Sequence, residues 1–161
     1  MSDILEITDF PHELRDTLPE TYRLLKKAHL KVHPDVRRIF LHGSRGPAGG
    51  YRDDSDLDLC FLTDIDIAVL PGEEFGHRLR MVLLTTLENT ECPVELDLAV
   101  AFDRSKCGLK CFAVASYEEF RCEKESQGCM GLYKIQKGYD GFVPPITLVS
   151  EIFPFLTIWN R

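Results

Sequence analysis

The chain has 161 residues, 44% of them apolar and 28% charged, with a formal net charge of −7. That length fits one domain with a real core, and the composition excludes a disordered chain. The acidic balance argues against a broad electrostatic grip on nucleic acid, and no apolar run is long enough to cross a bilayer.

In chain order, "MSDILEITDF" lacks the basic-then-apolar pattern of an export signal, so a cytoplasmic location is expected. "LPETYRLLKKAHLKV" predicts a helix from about Pro19, a residue tolerated in a first helical turn, with Tyr22, Leu25, His29 and Val32 on one face. The helix is expected to run until Pro34 stops it. "DVRRIFLHG" predicts a strand over Val36 to His42, with His42 closing it. Gly43 to Ser55 reads as a glycine-rich turn and loop.

"DLDLCFLT" predicts a second strand. "GEEFGHRLRMVLLTTLENT" predicts a helix striped by Phe75, Leu79, Leu83 and Leu87 and stopped by Pro93. "VELDLAVAF" predicts a third strand. Further on, "SYEEFRCEKES" reads as a short helix. "GLYKIQKGYDGFVPP" reads as strand, turn and extended arm, and "LTIWNR" as a last strand with Trp159 as a packing anchor. Lys134 and Lys137 fall on what reads as a surface hairpin, contact with an acceptor or phosphate being the alternative.

Cys60, Cys92, Cys107, Cys111, Cys122 and Cys129 form no CxxC pair, and free thiols are expected in preference to structural zinc.

The chemistry concentrates in "LHGSRGPAGGYRDDSDLDLCFL". Strand side chains alternate faces, so Asp56 and Asp58 share one side while Leu57, Leu59 and Phe61 share the other. Paired carboxylates are ligands for hard cations such as Mg²⁺, whose shell phosphates commonly complete. On the third strand Val94, Leu96, Leu98 and Val100 alternate with Glu95 and Asp97. If the two strands are neighbours, Asp97 or Glu95 supplies a third carboxylate. Such a trio can hold two cations for in-line displacement at phosphorus. Gly43 lets other groups approach the backbone, Ser44 adds a hydroxyl, and Arg45 could pair with a phosphate.

The succession of apolar strand, Gly-Ser, glycine loop, Asp-Leu-Asp strand, helix and carboxylate-bearing strand resembles the nucleotidyltransferase superfamily that includes DNA polymerase β, and its small stand-alone members most of all. The resemblance covers roughly residues 30 to 102. It implies an α+β nucleotidyltransferase fold, a mixed β-sheet with flanking helices, here as one domain over 1–161 with a C-terminal extension over about 110–161. It also implies Mg²⁺-dependent transfer of a nucleoside monophosphate from a nucleoside triphosphate, such as ATP, to a hydroxyl. By matching positions, Gly43, Ser44 and the adjoining Arg45 would face the triphosphate. Asp56, Asp58 and Asp97 would be the catalytic, metal-holding carboxylates, with Glu95 as runner-up for the third. Size and charge point to a protein acceptor, by analogy a HEPN-type toxin. The alternative is a non-catalytic, antitoxin-like module that binds nucleotide or a protein partner.

Overall fold

A computed structural model describes residues 3–63, 65, 72–103, 130–143 and 152–161. Those residues form a mixed α+β structure. Its strands are β1 (Leu5–Ile7), β2 (Leu30–Val32), β3 (Val36–His42), β4 (Leu57–Thr63), β5 (Leu96–Asp103), β6 (Met130–Lys134), β7 (Gly141–Phe142) and β8 (Leu156–Asn160). Its helices are α1 (His12–Thr17), α2 (Pro19–Ala28) and α3 (Gly72–Asn89). The main sheet has the order β7-β6-β5-β4-β3-β8, and β1 pairs with β2 in a separate ribbon. Among the described residues no helix is long and apolar enough to cross a membrane.

The β4–β5 pair is parallel, while β3–β4, β3–β8, β5–β6 and β6–β7 are antiparallel. A parallel neighbour needs a long crossover, and α3 lies between β4 and β5 in the chain to provide it. Phe75, Leu79, Val82 and Leu83 of α3 join Ile39, Leu41, Leu57, Leu59, Phe61, Leu98 and Val100 in the larger core on one sheet face. Each such side chain contributes about 1.5–3 kcal/mol by leaving water. Phe40, Cys60, Leu62, Ala99, Ala101, Leu132 and Ile152 form a second core. Pleat alternation puts it on the opposite face. Strand β4 is therefore covered on both sides, which explains why its sequence is almost continuously apolar.

The expected strand over Val36 to His42 is observed, as are the helix from Gly72, the strands around Asp58 and Asp97, the hairpin from Met130 and the last strand. Trp159 packs, partly buried, against the larger core. The first helix departs from expectation. It ends at Ala28, because His29 adopts a left-handed conformation with φ 51°. Leu30–Val32 then turns into β2 instead of continuing the helix to Pro34. Thr86 of α3 and Thr90, just past its end, explain the switch. The Thr86 hydroxyl donates to the Lys31 carbonyl at 2.7 Å, and the Lys31 N–H donates to the Thr90 hydroxyl at 2.9 Å. Together they satisfy the strand's backbone on the side away from β1. The helix expected in "SYEEFRCEKES", the arm at Pro144 and Pro145, and Cys107, Cys111, Cys122 and Cys129 lie outside the described residues. Cys92 is a free thiol, and Cys60 is a buried cysteine outside any disulfide.

Candidate active site

One end of the second sheet face is polar, and strand register builds it. The parallel pairing sets Asp58 directly opposite Asp97, and the antiparallel pairing sets His42 directly opposite Asp58. All three share the face that carries Phe40, Cys60 and Ala99 further along the same strands. The Leu57 N–H donates to the Glu95 carbonyl at 2.9 Å, so the ladder extends to the segment carrying Glu95. The two carboxylate-bearing strands are neighbours in the sheet. Asp97 stands beside Asp58, and Glu95 lies further out, more than half exposed.

Gly43 brings the turn onto this cluster. Its φ is +72°, a conformation that favours glycine, and a Cβ there would come 2.0 Å from Asp58 Oδ2. The open face of Gly43 thus accommodates the Asp58 carboxylate. The Gly46 N–H donates to the Gly43 carbonyl at 3.0 Å, and the Gly49 N–H to the Gly46 carbonyl at 3.1 Å, giving two successive turns. Ser44, within the first of these turns, is partly exposed.

Arg45, expected to pair with a phosphate, is turned inward on its own loop. Its side chain is buried, with the residue only 4% exposed. Nε donates to the Ser55 carbonyl at 2.8 Å, while Nη2 donates to the carbonyls of Arg52 at 3.1 Å and Asp53 at 3.2 Å. Its guanidinium also lies 4.7 Å from the Tyr51 ring centroid. The fixed fork that suits a phosphate is occupied by the loop's own carbonyls, so Arg45 is the internal brace of the 46–55 loop.

The lysines that read as parts of a surface hairpin instead reach the cluster. Lys134 Nζ lies 3.2 Å from Asp97 Oδ1, with both side chains largely buried. Lys137 Nζ lies 2.7 Å from Asp56 Oδ2 and 3.6 Å from Glu95 Oε2. Gln136 fixes the hairpin between them. Its amide accepts from the Leu98 N–H at 3.0 Å and donates to the Leu96 carbonyl at 2.8 Å. That side chain occupies the edge of β5 beyond the last backbone pairing with β6, at Val100 and Tyr133. The turn itself closes by a Tyr139 N–H donating to the Gln136 carbonyl at 3.1 Å. Its central residues, Lys137 and Gly138, both have positive φ, at 57° and 88°. The Lys-Gly pair after a strand was the sequence signal for a tight turn; nothing local said which way its ammonium would point.

The electrostatics follow from this crowding. Burial, followed by the neighbouring Asp97 and Asp56 carboxylates, raises the Asp58 carboxyl from 3.8 to about 7, against the opposing pull of Lys134. Asp97 lies close enough to hydrogen-bond the protonated form of Asp58. Burial and the Lys134 charge hold His42 down at about 4 despite Asp97, so its imidazole is neutral near pH 7. His42 Nε2 is buried and has no hydrogen-bond partner among the described residues. Contact with Asp56 raises the Lys137 ammonium above its ordinary value.

Among the described residues no group of three or more His, Cys, Asp or Glu side chains is arranged to hold a metal ion. The chemistry of the donor set nonetheless suits a hard divalent cation. Asp58 and Asp97 face each other, and the repulsion that helps raise the Asp58 carboxyl is one a cation would relieve. Asp56, two residues along the same face, is held by an exchangeable ammonium.

No family model, curated protein or solved structure matches the chain.

Proposed function

We propose that the protein is a divalent-cation-dependent nucleotidyltransferase with a nucleotidyltransferase fold, passing a nucleoside monophosphate from a nucleoside triphosphate to a hydroxyl on an acceptor. The observation that carries this reading is the register of the parallel strands. Asp58 and Asp97 stand opposite one another, with Asp58 against the Gly43 turn that opens the loop. Asp56, Asp58 and Asp97 would hold Mg²⁺, which would polarise the phosphoryl group and neutralise the charge developing there. The chain's own contribution is position. The Gly43 backbone stands against Asp58, and Ser44 would add a hydroxyl. Asp97, or Glu95 at the rim, would take the acceptor's proton. A net charge of −7 suits a protein acceptor better than a nucleic-acid strand.

A second reading has its own observation. Asp97 and Asp56 are already paired with Lys134 and Lys137, which would let the cluster persist as a structural ion-pair network in a non-catalytic binding module. Calorimetric titration with ATP and Mg²⁺ separates the two. Under the enzymatic reading, ATP binds in a Mg²⁺-dependent way, Asp58→Asn and Asp97→Asn abolish that dependence, and labelled nucleotide reaches an acceptor only with the intact carboxylates. Mg²⁺-independent binding, equal in wild type and both variants, would refute it.

A further inference from the structure

The β6–β7 hairpin delivers two ammonium groups to carboxylates that the proposed function assigns to metal. Lys137 touches Asp56 and faces Glu95, and Lys134 touches Asp97. These placements are built, not incidental. Gln136 pins the hairpin to β5 by both ends of its amide. The turn also holds Lys137 in a left-handed conformation that is unfavourable for a non-glycine residue. A relaxed surface hairpin would place Asn or Gly there. Lys134 is also steadied by the Tyr139 ring, 5.6 Å from its ammonium to the ring centroid.

We infer that Lys137 is an internal competitor for the metal site. Its ammonium occupies the Asp56–Glu95 side of the cluster when no divalent cation is bound, and it must withdraw when one enters. This rests on the metal-dependent reading of the same site. Two positive groups cannot share Asp56 without repulsion, and the two lysines differ in their freedom to move. Lys137 is 43% exposed and swings into solvent at little cost, whereas Lys134 is 19% exposed and stays with Asp97. The exchange therefore runs through Lys137. The cluster remains partly neutralised without metal, and cation binding opens the tip of the hairpin.

The test is a titration of the full chain with Mn²⁺, followed by electron paramagnetic resonance, in wild type, Lys137→Met and Lys137→Arg. Loss of one exposed competing charge should tighten Mn²⁺ by roughly fivefold in Lys137→Met, and Lys137→Arg should bind like wild type. A purely structural role for Lys137 would not separate Met from Arg by the sign of this change. In unmutated protein, reductive methylation of Lys137, read by peptide mass, should accelerate when Mg²⁺ is added. Unchanged or weaker Mn²⁺ binding by Lys137→Met, or a methylation rate indifferent to Mg²⁺, overturns the inference and leaves the metal-dependent reading standing. Failure of all three proteins to bind Mn²⁺ overturns both.

Discussion

Replacing Asp58 by Asn should make the protein more stable while removing its proposed activity. Burial and two neighbouring carboxylates raise the Asp58 carboxyl from 3.8 to about 7. A carboxyl whose value is raised by folding favours the folded state at low pH. That advantage is intact below pH 3.8 and is lost as pH climbs to about 7. At about 1.4 kcal/mol per pH unit the gap has a ceiling of about 4 kcal/mol, and solvent reaching the half-buried carboxyl reduces this to about 2 kcal/mol. Asparagine keeps the shape and carries no charge. At pH 8 the variant should therefore melt about 4–8 °C above wild type, and at pH 3.5 the two should coincide. His42 works in the opposite direction. Held at about 4, it makes stability rise with pH between about 4 and 6.5 in both proteins. Lys134 and Asp97 set that value together with burial, so the difference between the two melting curves reports Asp58 together with the Asp97 carboxylate it faces. The assay is thermal unfolding followed by circular dichroism in metal-free buffer across this pH range. A variant no more stable than wild type at pH 8, or a difference curve flat with pH, would refute the reasoning that this carboxylate is held at an electrostatic cost.

Gly43→Ala should lose at least about 2 kcal/mol in urea unfolding, combining left-handed strain with a Cβ pressed onto Asp58 Oδ2, and part of the loss should return in an Asp58→Ala background. Arg45→Met should cost about 2–3 kcal/mol and speed hydrogen exchange across residues 46–55, because the loop carbonyls of Arg52, Asp53 and Ser55 lose their common donor. Unchanged stability with weakened nucleotide binding would return Arg45 to a phosphate-binding role. Gln136→Leu should cost about 1–3 kcal/mol by leaving the Leu98 N–H and Leu96 carbonyl unpaired, and the lost protection should appear at the Leu98 amide in hydrogen exchange.

Much of the framework was legible in the chain. Residues 36–42 and 57–63 read as strands because β-rich apolar runs end at turn residues, and residues 72–89 read as a helix because Phe75, Leu79 and Leu83 recur every fourth position. The alternation that sets Asp58 apart from Leu57 and Leu59 is likewise a property of adjacent residues, fixed by the pleat wherever the strand goes. These features are local, so the sequence by itself determines them. Three others depend on partners far along the chain. Leu30–Val32 continues a helical pattern, yet becomes a strand because Thr86 and Thr90 supply its missing hydrogen bonds. Arg45 carries the right chemistry for a phosphate, but the returning loop takes its donors first. Lys134 and Lys137 look like ordinary surface charges until Gln136 fastens their hairpin to β5 and turns them onto Asp97 and Asp56. Local periodicity says which face a residue takes; only the pairing of distant segments says what charge or carbonyl stands opposite, and that pairing decided what surrounds these carboxylates.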